Sequence, residues 1–502
     1  MTPDRTTVRS ALLSLLAAAL VPGPAAATDA PHLLQAREES VAAPSPTDSL
    51  TLADLAGSWM GRLTMGEREG PRLGLRILRK ADGSMGASAA SPDQGADFIP
   101  ASASLEGRTL TVRLEDPEAT IQGQAMPDSG RIEAEFRQGG ATLELTLERV
   151  DELPPAGPVR PQTPRPPFPY RTEEVRIHNE ADDVWLGGTI TMPRRDGPHP
   201  AVIFLTGSGP QDRGVVGTGG HKIQTVIADH LTRRGFAVLR YDKRGVYRST
   251  GSYGGATEED FTRDALAAYR HLTSRADVRP DRVGFVGHSE GSLIAARAAA
   301  ALDGGVGFIV SMAGPGLPMF EVLVLQDGTQ AAAEGATGRE VELIRDFSRR
   351  YYRTAMETEG EDAREKALTG LYDSLEGEQE KAVETFFGDR PGTLDPSFAA
   401  RDAFVEDLGA PGPAAYWEQV ESPVLVLNGG RDSQVPAEEN VGALLEALEK
   451  APTERFESEI FPDENHLFQT AGTGAVDEYE EIEQTVAPEV LERIAGWLER
   501  LP

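Results

Sequence analysis

DRVGFVGHSEGSLIAARAAAAL, residues 281–302, decides the fold. RVGFV is a short apolar run of the kind that fills a strand buried on both faces, and SLIAARAAAAL is rich in helix formers. Between them Gly287-His288-Ser289-Glu290-Gly291 has the GxSxG spacing of a sharp strand-to-helix turn that holds a serine at its tip. The two glycines have a steric reason, because the chain crowds itself on either side of the serine and leaves no room for a Cβ. A serine forced into such a turn is poorly explained by packing. The helix behind it favours negative charge beside Ser289, which suits a developing oxyanion.

A serine hydroxyl is a weak nucleophile near neutral pH, so it needs a histidine base and an acid to orient that base. The chain has eight histidines. His32 lies in an amino-terminal tether, His178 and His199 lie before or at the start of the repeating pattern, His221, His230 and His271 lie on helices, and His288 abuts the serine with its side chain expected to point away. His466, in FPDENHLFQ past the last apolar run, is the base that remains. Asp432, in PVLVLNGGRDSQVP, follows an apolar run and a Gly-Gly turn, and is the acid; Asp463, three residues from His466 in one loop, is the rival. An oxyanion hole needs the amide after the nucleophile, Glu290, and one from an earlier loop, for which Ser208 in LTGSGPQDR is the candidate and Gly209 the next. In YDKRGVYRSTG, starting at Tyr241, Asp242 and Arg244 read as ion pairs that hold a loop.

Outward from this turn, apolar strand-like runs alternate with helical ones: AVIFLTG, FAVLRYD, RVGFVGH, GFIVSMAG, PVLVLNGG and RFESEIFP, with helices between. This is the pattern of an α/β, doubly wound, mostly parallel sheet. It stalls over residues 317–419, a charged stretch of helical period that reads as an inserted helical cap. Residues 52–150 carry short alternating runs such as RLGLRILRK and ATLELTLERV, expected to form a small antiparallel all-β domain, barrel or sandwich. DELPPAGPVRPQTPRPPFPY, residues 151–170, holds eight prolines and reads as a semi-rigid linker.

At the amino end, Arg5 and Arg9, an apolar run and Ala25-Ala26-Ala27 form the three-part pattern of a secretory signal over residues 1–27, followed by a flexible tether over 28–51. The expectation is export, to the periplasm or beyond, with no stable membrane insertion after cleavage. The 502 residues include no cysteine, which removes disulfides, thiolate metal sites and a cysteine nucleophile. Eighty acidic against 49 basic residues give a formal charge of −31, which repels phosphate backbones, so no nucleic-acid partner is expected.

The order Ser, Asp, His excludes the chymotrypsin and subtilisin orders. With GSGPQDR (207–213), YDKRG (241–245), GHSEG (287–291), LNGGRD (427–432) and NHLFQ (465–469), the chain resembles the bacterial exported serine α/β hydrolases of the esterase and acyl-peptidase-like group over about residues 168–502. The resemblance implies Ser289, Asp432 and His466 as catalytic triad and the amides of Ser208 and Glu290 as oxyanion donors. It implies cleavage of small acyl esters or short peptide-like substrates through an acyl-enzyme, a chemistry that requires no metal or organic cofactor. Peptidase, acylaminoacyl hydrolase or acyltransferase chemistry stays open on the same scaffold, with a non-catalytic binding module a more distant alternative. One departure is Tyr247, where the group carries glycine, which puts the local loop shape in doubt.

Overall fold

The structure is a computed structural model. It describes residues 50–502 apart from 66, 67, 95, 116, 117, 127, 128, 156, 215–217 and 389–391, so the expected signal and nearly all of the expected tether lie outside the described residues. The chain divides into two compact units, the first carrying an all-β fold and the second comprising Lys80–Ser84 and Gly157–Pro502.

In the first unit, β1 (Gly57–Met65), β2 (Arg68–Arg79), β3 (Met85–Ser91), β4 (Ala96–Glu106), β5 (Thr109–Glu115), β6 (Glu118–Met126), β7 (Arg131–Gln138) and β8 (Ala141–Val150) form an antiparallel meander. It closes into a barrel where β1 pairs with β8, Ser58 opposite Val150. Alternation decides what fills it. Leu73, Leu75 and Ile77 of β2, Leu110, Val112 and Leu114 of β5, and Leu145 and Leu147 of β8 all enter one buried cluster with Trp59 and Phe136. The Gly139-Gly140 hairpin has positive φ at both residues, 54° and 82°, the paired left-handed turn that matches strand twist.

The second unit is built on an eight-stranded sheet: β9 (Arg171–Asn179), β10 (Val184–Met192), β11 (His199–Leu205), β12 (Ala237–Tyr241), β13 (Val278–His288), β14 (Ile309–Met312), β15 (Val424–Gly429) and β16 (Phe456–Phe461). The spatial order is β16-β15-β14-β13-β11-β12-β10-β9. From β12 to β16 the neighbours run parallel, whereas β9 and β10 add an antiparallel edge that the run-by-run alternation did not reveal. Their sequences, RTEEVRIHN and VWLGGTITM, mix charge and glycine and lack the continuous apolar run of a central strand.

Helices α1 (Ile223–Arg233), α2 (Glu258–Thr273) and α3 (Glu290–Ala300) follow β11, β12 and β13. The insertion after β14 comprises α4 (Met319–Ala333), α5 (Gly338–Glu357), α6 (Glu361–Asp373), α7 (Gly377–Phe387), α8 (Pro396–Ala399), α9 (Asp402–Leu408) and α10 (Ala414–Trp417). Then come α11 (Ala437–Leu448), α12 (Glu478–Glu481) and α13 (Pro488–Glu499). The strands β11 to β15 feed two cores: Ala201, Ile203 and Leu205 of β11 pack with α2, α3 and α11, while Val202 and Phe204 pack with α1 and α13. The insertion has a core of its own around Phe347, Tyr351, Tyr352, Leu368 and Val383. At its end, Trp417 of α10 and Val420 just beyond belong to the core of the sheet.

The proline-rich stretch, read as a semi-rigid linker, is held by side chains as well as by its prolines. Its later part belongs to the second unit, where buried Arg160 donates to the carbonyls of Gly219, Glu480 and Ile482, and Gln162 accepts from the amides of Thr485 and Val486. Proline restricts the backbone, but these side chains decide where it lies. Among the described residues, no helix is long and apolar enough to cross a membrane.

Candidate active site

β13 ends at His288 and α3 begins at Glu290, so Ser289 alone makes the reversal, with φ 54° and ψ −124°. A non-glycine residue there stores strain, which the surrounding hydrogen bonds hold. The Ser289 amide donates to the Met312 carbonyl of β14 at 2.8 Å, and the Ser289 carbonyl accepts from Ser292 at 2.9 Å. Both elbow glycines are forced by backbone. A Cβ on Gly287 would lie 2.3 Å from the Gly291 carbonyl oxygen, and one on Gly291 would lie 2.2 Å from the carbonyl oxygen of Leu205 at the end of β11. The second crowding is therefore with the neighbouring strand, not with the elbow itself.

Asp432 and His466 come together from two loops past β15 and β16. Asp432 Oδ2 accepts from His466 Nδ1 at 2.8 Å, and the aspartate side chain is wholly buried. Because a carboxylate only accepts, this bond places the proton on Nδ1 and leaves Nε2 free to act as a base. The other carboxylate oxygen accepts from the amides of Gln434 and Val435, which fix the side chain of Asp432. The rival Asp463 is turned outward to Arg431 at 2.7 Å. In the loop of His466, the Asn465 side-chain oxygen accepts from the amides of Leu467 and Gln469, both at 3.0 Å, which explains why NHLFQ forms a closed turn.

Ser289, His466, Ser208 and Glu290 all line one cavity of about 440 Å³. Its far wall comes from the insertion, with Met319, Leu323, Phe398 and Phe404 among the lining side chains, so the stretch read as a cap does face this site. Gly207 abuts the elbow, since a Cβ there would lie 3.1 Å from Ser289 Cβ. The amide of Gly209, the second candidate donor, is committed to the Tyr253 hydroxyl at 2.9 Å. Of the two loop amides Ser208 remains the candidate donor, beside Glu290, whose amide at the first position of α3 has no partner within the helix.

Three residues beside the site escaped sequence reasoning. Lys243 donates to the Gly207 carbonyl at 2.7 Å and to the Glu290 carboxylate at 2.6 Å. Tyr253 lines the cavity and holds Gly209. His288, expected only to point away from the serine, uses Nε2–H to hold the His466 carbonyl at 2.9 Å, and burial followed by the nearness of His466 pushes its pKa down to about 3. In the sequence, Lys243 lies between Asp242 and Arg244, and nothing in the spacing separates it from them. Those two do form buried pairs, Asp242 with Arg213 and Arg244 with Asp264. Beside the cavity, burial first and the neighbouring Asp407 second raise Glu258 to about 8, against the pull of Arg297 at 3.0 Å, and burial raises Asp407 to about 6. Tyr247 adopts φ 45°, so its loop keeps the left-handed shape that a glycine would take.

The family model of the alpha/beta hydrolase fold matches residues 200–470, more than half of the chain. The chain belongs to the alpha/beta hydrolase fold family. The chain is 28% identical over 316 residues to the esterase EstD of Thermotoga maritima, covering 62% of this chain and 65% of that one. It is 33% identical over 159 residues to the putative hydrolase YtaP of Bacillus subtilis, covering 25% of this chain and 52% of the relative. The chain therefore spans less than two thirds of the length of either relative. Among solved structures, an esterase from Pyrococcus furiosus aligns at 17% identity with a TM-score of 0.40, covering 66% of this chain and 91% of that one.

Proposed function

We propose that this hydrolase cleaves carboxylic esters through an acyl-enzyme. The observation that carries the proposal is the meeting of a strained serine and an aspartate-paired histidine on the wall of one cavity. In this reading His466 Nε2 takes the proton of Ser289 Oγ as the oxygen attacks the ester carbonyl, and the amides of Ser208 and Glu290 hold the oxyanion. The C–O bond then breaks, the His466 proton goes to the departing alcohol, and Ser289 is left acylated. Water, deprotonated by His466, releases the acid and restores the hydroxyl. Asp432 stabilises the imidazolium at both steps. The side chains of Met319, Leu323, Phe398 and Phe404 give the acyl group an apolar surface, beside the charged Arg401 and Asp407.

Ser289→Ala removes only the attacking oxygen. It is expected to cut hydrolysis of short p-nitrophenyl esters by at least about 10⁴-fold with the fold intact, and to abolish labelling by a fluorophosphonate. Full turnover by the folded variant refutes the proposal.

A further inference from the structure

We infer that Lys243 is a positioning residue that locks both oxyanion donors in place. The inference rests on the ester-hydrolase reading above and extends it to a residue outside the triad and the hole. Its basis is which atoms the ammonium touches. The Gly207 carbonyl belongs to the same peptide unit as the Ser208 N–H, so the 2.7 Å bond from Lys243 Nζ grips the far side of the amide that faces the oxyanion. The second bond, 2.6 Å to the Glu290 carboxylate, grips the side chain of the residue that supplies the other amide. One charged group thereby ties the loop after β11 to the start of α3.

The lysine is well placed to act as a fixed point. Its side chain is 6% exposed and lies over the Phe261 ring at 4.6 Å and the Tyr253 ring at 5.7 Å. Tyr253 holds the Gly209 amide, so the Ser208 peptide is clamped from both directions: by Lys243 on the carbonyl before it and by Tyr253 on the amide after it. A hydrogen bond from a cation to a peptide carbonyl also polarises that peptide and makes its N–H a stronger donor. Glu290 neutralises the ammonium's charge nearby, so orientation and polarisation of the peptide, more than a bare positive charge, are what Lys243 supplies.

A clamp on oxyanion donors acts in the transition state and leaves substrate binding nearly untouched. Lys243→Met is therefore expected to lower kcat about 100-fold while KM moves less than about threefold. The decisive readout compares two inhibitors. A trifluoromethyl ketone is attacked by Ser289 Oγ, whose proton passes to His466, and the new C–O bond leaves an oxyanion in the hole. The corresponding secondary alcohol fills the same space without forming one. The ketone is expected to lose affinity by about the same factor as kcat, with the alcohol unchanged. Equal weakening of ketone and alcohol, or an unchanged kcat in folded Lys243→Met, overturns the inference. If Lys243→Met does not fold, Glu290→Gln removes the lysine's charge partner and is expected to give the same split at about tenfold; no split there also overturns it. Ser289→Ala measured alongside separates the two failures: if it stays active the ester-hydrolase reading falls, and if it is dead while Lys243→Met behaves as wild type only the clamp falls.

Discussion

The ring of His288 lies 4.8 Å from that of His466, close enough for two positive charges to repel strongly if both were protonated. Burial keeps His288 neutral, so the imidazolium that the proposed mechanism forms on His466 has no like charge beside it. The arrangement has a cost in acid. Above pH 6.5 His288 is neutral whether the chain is folded or unfolded, and its ionisation does not affect stability. Below 6.5 the unfolded chain binds a proton that the folded chain refuses until about pH 3, so stability falls throughout that window, by about 2 kcal/mol at pH 5 from this residue. His199, His221, His230 and His271 are also held below the ordinary value by burial and add to the same slope. His288→Gln keeps an amide donor for the His466 carbonyl and cannot titrate. Urea unfolding at pH 7.5 and pH 5 is expected to show a smaller acid loss in the variant than in wild type, and equal losses would mean that His288 is not the neutral group described.

Among the elements, the site depends on three strand ends reaching the same edge, and on how closely β11 and the elbow approach. Gly291 measures that approach. A methyl group there meets the carbonyl oxygens of Leu205 at 2.2 Å and Thr206 at 2.8 Å, both backbone atoms of β11 and its following loop, so α3 must move away and take Ser289 with it. Gly291→Ala is expected to cost about 1–3 kcal/mol of stability, the range for overpacking, and to lower kcat as well. Gly442, inside α11, has open space where a Cβ would go, so Gly442→Ala is expected to stabilise by about 0.5–1 kcal/mol and leave turnover alone. Thermal unfolding and ester turnover of the pair test this directly; matching behaviour would show that glycine content, and not the β11 contact, sets the cost. Much of this layer is legible in the sequence, because strand, tight turn and helix each leave a local pattern around residues 281–302. The bonds that hold the loop after β11 are not legible there. Lys243 and Tyr253 act on Gly207 and Gly209 from another loop, and such pairings carry no periodicity.

For the molecule as a whole, the same distinction holds over longer spans. Alternating apolar runs make the parallel part of the sheet readable, and the order of Ser289, Asp432 and His466 places each at a strand end. Whether residues 57–150 form a barrel or a sandwich is not readable, because it turns on Ser58 pairing with Val150, a contact that neither strand's pattern encodes. Charge is the property that composition does announce over such spans. A formal charge of −31 leaves many carboxylates with no basic residue to face, and their mutual repulsion opposes the compact state. Salt acts on both repulsion and ion pairs, so the sign of its effect depends on which is more screened. Exposed pairs such as Arg137–Glu135 contribute little, and the buried pairs of Arg213 with Asp242 and Arg244 with Asp264 are shielded from the ions. Of the interactions that salt can reach, repulsion among exposed carboxylates is therefore the stronger. Raising sodium chloride from about 20 mM to about 0.5 M at pH 8, which shortens the screening length from roughly 20 Å to roughly 4 Å, is expected to raise the unfolding temperature by several degrees. Choline chloride at equal ionic strength should do the same, because screening does not depend on which cation supplies it. A rise with sodium alone would instead indicate a cation held at particular carboxylates, and a fall with both salts would mean that ion pairing outweighs the surplus of negative charge.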